Sequence, residues 1–64
     1  MEFVVRAVIG GNQTAWIKRQ AGPYRIGPRG HATVFVTRGE AREAIRQLPE
    51  VIRNAAKFTV EAAE

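Results

Sequence analysis

The sequence predicts an α+β fold in the order β-β-β-α-β, an antiparallel sheet with one helix, kinked or broken at Pro49, packed on one face. Three observations predict it. A run rich in β-branched and aromatic residues over Glu2–Ile9 ends in a glycine pair. A capping pattern at Thr37–Glu40 opens an apolar stripe of helical period. An alternating run, Lys57–Glu61, closes the chain. At 64 residues this is one domain, 1–64, of a size that withdraws only about 60% of its unfolded surface from water.

In the first run, Phe3, Val5, Ala7 and Ile9 share one side of a strand, all apolar, while Val4, Arg6 and Val8 share the other. Gly10-Gly11-Asn12-Gln13 supplies the positive-φ residues of a hairpin turn. Thr14–Gln20 is the return strand, with Thr14/Trp16/Lys18 on one face and Ala15/Ile17/Arg19 on the other. Either face suits the core, because pairing register decides the matter. Residues 21–31 hold Pro23 and Pro28, each after a glycine, and read as a basic Pro/Gly loop, or as an edge segment broken by turns, rather than a central strand. Ala32–Val36 is the expected third strand, short and apolar.

Thr37 and Glu40 fit a capping box, in which the threonine oxygen accepts from the amide three residues on. Ala41, Ala44, Ile45 and Leu48 follow at helical spacing, predicting a helix over about 38–48. Pro49 kinks it or begins a further turn or two, along which Ile52 and Ala55 continue the stripe. Lys57–Glu61 is the last strand, with Phe58 and Val60 on one side, and Ala62–Glu64 a frayed end.

Composition removes several function classes. Cys, Ser and Asp are absent, and His31 is the lone histidine. Thiol and serine nucleophiles, cysteine zinc sites and most carboxylate dyads go with them, so neither catalysis, a metal nor a cofactor is expected. His31 reads as the start of a strand. The Pro/Gly loop lacks a phosphate-loop ending or a dinucleotide fingerprint. No signal-peptide pattern or membrane-length apolar run is present, so a cytoplasmic protein without membrane contact is expected.

Charge is the positive clue. Residues 1–38 carry six cations against Glu2, a net +5, while residues 39–64 carry four against five acids, a net −1. Arg42, Arg46 and Arg53 fall on the outer helix surface, where Arg42 and Arg46 repel each other as an i,i+4 pair and are either screened by Glu43 and Glu50 or meet an anion. A helix on one side leaves the other sheet face open, and every arrangement makes that face basic and partly apolar. Thr33, Phe35 and Thr37 are one choice for its third-strand row. The candidate binding residues are Arg6, Trp16, Lys18 and Arg19 on the sheet, with Tyr24, Arg25 and Arg29 in the loop. Guanidinium and ammonium groups neutralise phosphates while aromatic rings pack on base or sugar, so nucleic acid is the expected partner. The alternative is an inhibitor or accessory protein that binds an acidic host protein, with Trp16 and Tyr24 as anchors. A homodimer through the open face is compatible with both.

Thr33–Ile45, TVFVTRGEAREAI, has the form F-x-T-x-x-E-A-x-x-A. This stretch resembles a strand-to-helix unit found in small uncharacterised phage and prophage proteins. It also looks like the corresponding part of the AP2 domain and of integrase arm-type DNA-binding domains. The first resemblance implies a small binding protein of phage or prophage type. The second implies that Arg6, Trp16, Lys18 and Arg19 face a DNA groove.

Overall fold

A computed structural model describes residues 1–19 and 22–63. Gln20 of the expected return strand, Ala21 of the loop and Glu64 of the expected frayed end lie outside the described residues. The elements are β1 (Phe3–Ile9), β2 (Gln13–Arg19), β3 (Tyr24–Gly27), a 3-10 turn (Arg29–His31), α1 (Arg38–Arg46), α2 (Glu50–Ala55) and β4 (Ala56–Ala62). The sheet is antiparallel throughout, in the order β3-β2-β1-β4.

The first hairpin follows from its glycines. Gly10 and Gly11 sit at φ 62° and 94°, a region costly for other residues, and bring Ile9 opposite Gln13. Arg6 then faces Trp16 across β1–β2, and Thr59 across β1–β4. Because paired residues point to the same face, this register sends Ile17 and Val5 one way, Trp16 and Arg6 the other.

The helices cover the first of these faces. Val5, Ile17, Phe35, Ala41, Ala44 and Leu48 form the buried cluster, with Tyr24, Ile45, Ile52, Phe58 and Val60 packed against it. Ala41 and Ala44, both essentially inaccessible, let α1 approach the sheet closely. The Thr37 hydroxyl accepts from the Glu40 amide at 3.1 Å, while the Glu40 carboxylate accepts from the Val36 amide at 3.3 Å. This is the expected cap, its return bond displaced by one residue. Pro49 breaks the helix outright: α1 ends at Arg46, and Pro49 stands at the N-cap of α2 with φ −55° and ψ 146°. The break resets the helical phase. Ile52 still packs on the core, but Ala55, expected to continue the stripe, is exposed.

The third strand is not where composition put it. Ala32–Val36 forms no ladder, and the strand is Tyr24–Gly27, inside the expected Pro/Gly loop. Pro23 and Pro28 lie just outside those four residues, on an edge strand where a missing donor interrupts no ladder. Within them Tyr24 and Ile26 turn to the helix side, and Arg25 and Gly27 away, which is ordinary strand alternation.

Residues 33–35 take another role. Phe3 and Phe35 exchange both backbone bonds, at 2.8 and 2.7 Å, while the Thr33 amide donates to the Ile17 carbonyl at 3.0 Å. The Arg19 amide donates to the Thr33 hydroxyl at 2.7 Å. The β1–β2 ladder stops at the Arg6–Trp16 pair, and this segment satisfies backbone groups of both strands beyond it. It also delivers the Phe35 ring to the core.

Leu48, 2% exposed, closes the cluster, whereas Val51 on α2 is 80% exposed. Leu48→Ala should lower unfolding free energy by about 2–5 kcal/mol. Val51→Ala should change it by less than about 0.5 kcal/mol, as usual for exposed sites. Urea denaturation followed by circular dichroism checks the pair, and equal losses would contradict this core.

Candidate functional site

The helix-free face is built from the outward rows of four strands. β1 contributes Val4, Arg6 and Val8; β2 contributes Thr14, Trp16 and Lys18; β3 contributes Arg25 and Gly27; β4 contributes Lys57, Thr59 and Glu61. Trp16 sits near its centre, with Arg6 across one neighbouring strand and Gly27 across the other. The indole is half-buried, and the Arg29 guanidinium lies over it at 4.6 Å from the ring centroid. This cation–π contact ties the 3-10 turn to the sheet and leaves a charged plane covering the aromatic one.

Gly27 leaves room for the Lys18 side chain. A Cβ there would stand 3.0 Å from Lys18 Cδ and Cε and 3.2 Å from Nζ. The lysine stem therefore runs across the bare backbone of β3, bringing its ammonium to the neighbourhood of the indole. On the other flank, Arg6 Nη2 meets Glu61 Oε2 at 2.8 Å. Both groups are partly exposed, so the pair stabilises by no more than about 1 kcal/mol and mainly orients the arginine. Val4, only 3% exposed, closes one end of the face, and the accessible part centres on Trp16.

Of the residues singled out from sequence, Arg6, Trp16, Lys18, Arg25 and Arg29 come together here. Arg19 and Tyr24 do not. They are mutual partners in the β2–β3 register and turn to the helix side. There Arg19 Nη2 donates to the tyrosine hydroxyl at 3.0 Å and its guanidinium lies 5.2 Å from the ring centroid. The Tyr24 ring also stands 6.0 Å from Phe35, tilted by 40°. Thr33, Phe35 and Thr37, one expected third row of the open face, do not supply it. Phe35 is core and Thr37 caps α1. Arg25 and Gly27 take that place.

Lys57, Thr59 and Glu61 are site residues that reading from sequence missed. Their signal was present: placing Phe58 and Val60 inward leaves these three outward. What was missing was the pairing of β4 with β1.

The opposite side differs in character. A cleft of about 420 Å³ is lined by Arg19, Tyr24, Val34, Glu40 and Glu43 among others, with charges of both signs. The hydrogen bond from Arg46 to Glu43, at 2.7 Å, holds that carboxyl below its usual value, and the same pair relieves the repulsion expected between Arg42 and Arg46. Arg53 Nε donates to the Leu48 carbonyl at 3.1 Å, closing the end of α1. His31, in the 3-10 turn, is exposed.

The fold and site thus define a small α+β domain with one helix-covered face and one basic face. No family model matches the chain, and comparisons with curated proteins and with solved structures find no match. Among the described residues, no three His, Cys, Asp or Glu side chains are placed to hold a metal ion, and no helix is long and apolar enough to cross a membrane.

The chain has a single tryptophan, so its fluorescence reports on this face alone. Arg29→Ala should uncover the indole and raise acrylamide quenching about twofold with little loss of stability, as befits a cation–π contact worth about 0.5–1 kcal/mol. Unchanged quenching would contradict the Arg29–Trp16 stack.

Proposed function

We propose that this protein binds nucleic acid through the helix-free face of its sheet, as a non-enzymatic binding protein of phage or prophage type. One observation carries the reading. Arg6, Lys18, Arg25 and Lys57 project from the face, Arg29 lies over its central Trp16, and the acid among the outward rows, Glu61, is already engaged by Arg6. An excess of cations around a half-buried aromatic suits a phosphate backbone with a base or sugar against the Trp16–Arg29 stack.

Two other readings fare less well. Trp16 and Tyr24 lie on opposite sides of the sheet, so they cannot anchor one flat host-protein surface together. A homodimer joined face to face would bring the cations of both copies into contact.

Titration of labelled duplex and single-stranded DNA at several salt concentrations tests the proposal. Affinity should fall steeply with salt. The double variant Lys18→Ala with Arg25→Ala should bind at least about tenfold more weakly and shallow the log–log salt slope by about 2. Arg19→Ala, on the helix side, should stay within about twofold of the unaltered protein. Equal weakening by Arg19→Ala, or affinity indifferent to salt, would remove the case. A nuclease-resistant, stoichiometric protein partner from host lysate would favour the host-factor alternative.

A further inference from the structure

The two edges of the sheet are not alike. β3 is four residues long, with a proline immediately before it and another immediately after. Short edge strands flanked by proline make poor templates for further pairing. β4, Ala56–Ala62, is seven residues long, contains no proline, and pairs on one side only, with β1.

Its free backbone groups can be assigned. The Ala63 amide donates to the Glu2 carbonyl at 2.8 Å, in register with the β1–β4 ladder. Antiparallel pairs alternate, so the amides and carbonyls of Lys57, Thr59 and Glu61 turn toward β1. Those of Ala56, Phe58, Val60 and Ala62 turn to the open edge, where no strand among the described residues lies beside them.

The side chains of this strand are complementary to their own reverse. Read about Thr59, A-K-F-T-V-E-A pairs Ala with Ala, Lys57 with Glu61, and Phe58 with Val60. From this pattern we propose that β4 is a homodimerisation edge: two copies pair antiparallel about a two-fold axis through Thr59 and normal to the sheet. Each Lys57 then faces the partner's Glu61 and each Phe58 the partner's Val60. Thr59 meets its own counterpart as a non-hydrogen-bonded pair. The outward-turned groups of Phe58 and Val60 exchange hydrogen bonds, and those of Ala56 and Ala62 do so at the ends. The register that matches the charges is also the one that matches the free backbone groups.

Glu61 already meets Arg6, so a partner's Lys57 would complete a cation–carboxylate–cation group rather than displace a contact. Self-complementarity is what an isologous interface requires, and it identifies the occupant as a second copy of this chain. This inference is independent of the nucleic-acid reading, and it is measured without nucleic acid.

Sedimentation equilibrium should show a monomer–dimer equilibrium with a dissociation constant between about 1 μM and 1 mM, suited to a small transient interface. Lys57→Glu alone and Glu61→Lys alone each oppose like charges twice per dimer, and each should weaken association about tenfold or more. Mixing the two variants restores opposite charges at both pairs, so the mixture should form heterodimers within about threefold of the original affinity. Circular dichroism confirms that each variant is folded. A measurement on the unaltered chain stands beside these: amide exchange at Phe58 and Val60 should slow as concentration rises, while exchange in β3 should not. A monomer at 1 mM, variants that dimerise undiminished, or a mixture that fails to recover would each overturn the proposal.

Discussion

One layer of helix can cover only one side of a four-stranded sheet, and this chain has residues for one layer. α1 packs on β1 and β4, and α2 on β4, so the shared face of Val5, Ile17, Phe58 and Val60 is shielded from water. The other face has no such cover. Everything distinctive about the molecule follows from which residues the pairing register sends to each side. The Gly10–Gly11 turn sets Ile9 opposite Gln13, and from there Trp16 and Lys18 must turn away from the core, because Ile17 turns into it. A slip of one residue would bury a lysine and expose Ile17, which the small core could not tolerate.

The features legible in the sequence were those encoded locally. The hairpin glycines, the threonine cap and the Lys57–Glu61 alternation each specify their element within a few residues, and each is present. The third strand was legible only as one alternative for the Pro/Gly stretch, an edge segment broken by turns, because two local signals pointed elsewhere. Ala32–Val36 has strand composition but meets the sheet through a single bridge at Phe35 and scattered hydrogen bonds at Thr33 rather than a ladder, whereas Tyr24–Gly27 hides its alternation between two prolines. Only the edge position makes those prolines harmless, and edge position is a tertiary fact.

The site was legible in part for the same reason. That a basic face exists follows from strand periodicity and a one-sided helix. Its membership depends on pairings between distant residues. Alternation set Arg19 on the face opposite Trp16 and Lys18, but which of the two faces is open depends on register, and the register puts Arg19 beside Tyr24 on the helix side. Lys57, Thr59 and Glu61 reach the face because β4 pairs with β1, some fifty residues earlier in the chain.

The edge and the face are geometrically linked. An axis normal to the sheet keeps both basic faces on the same side, so pairing through β4 would extend the face continuously instead of hiding it. Lys57 and Glu61 would lie at the seam, where matched charges would leave the local balance unchanged. The cations nearer β3, Lys18, Arg25 and Arg29, would then stand at both ends of a longer surface. Extension in this way raises the number of phosphates one particle can neutralise without adding charge to either chain. Because electrostatic affinity for a polyanion grows with that number, a weak edge contact and a modestly charged face would reinforce each other on one strand of nucleic acid.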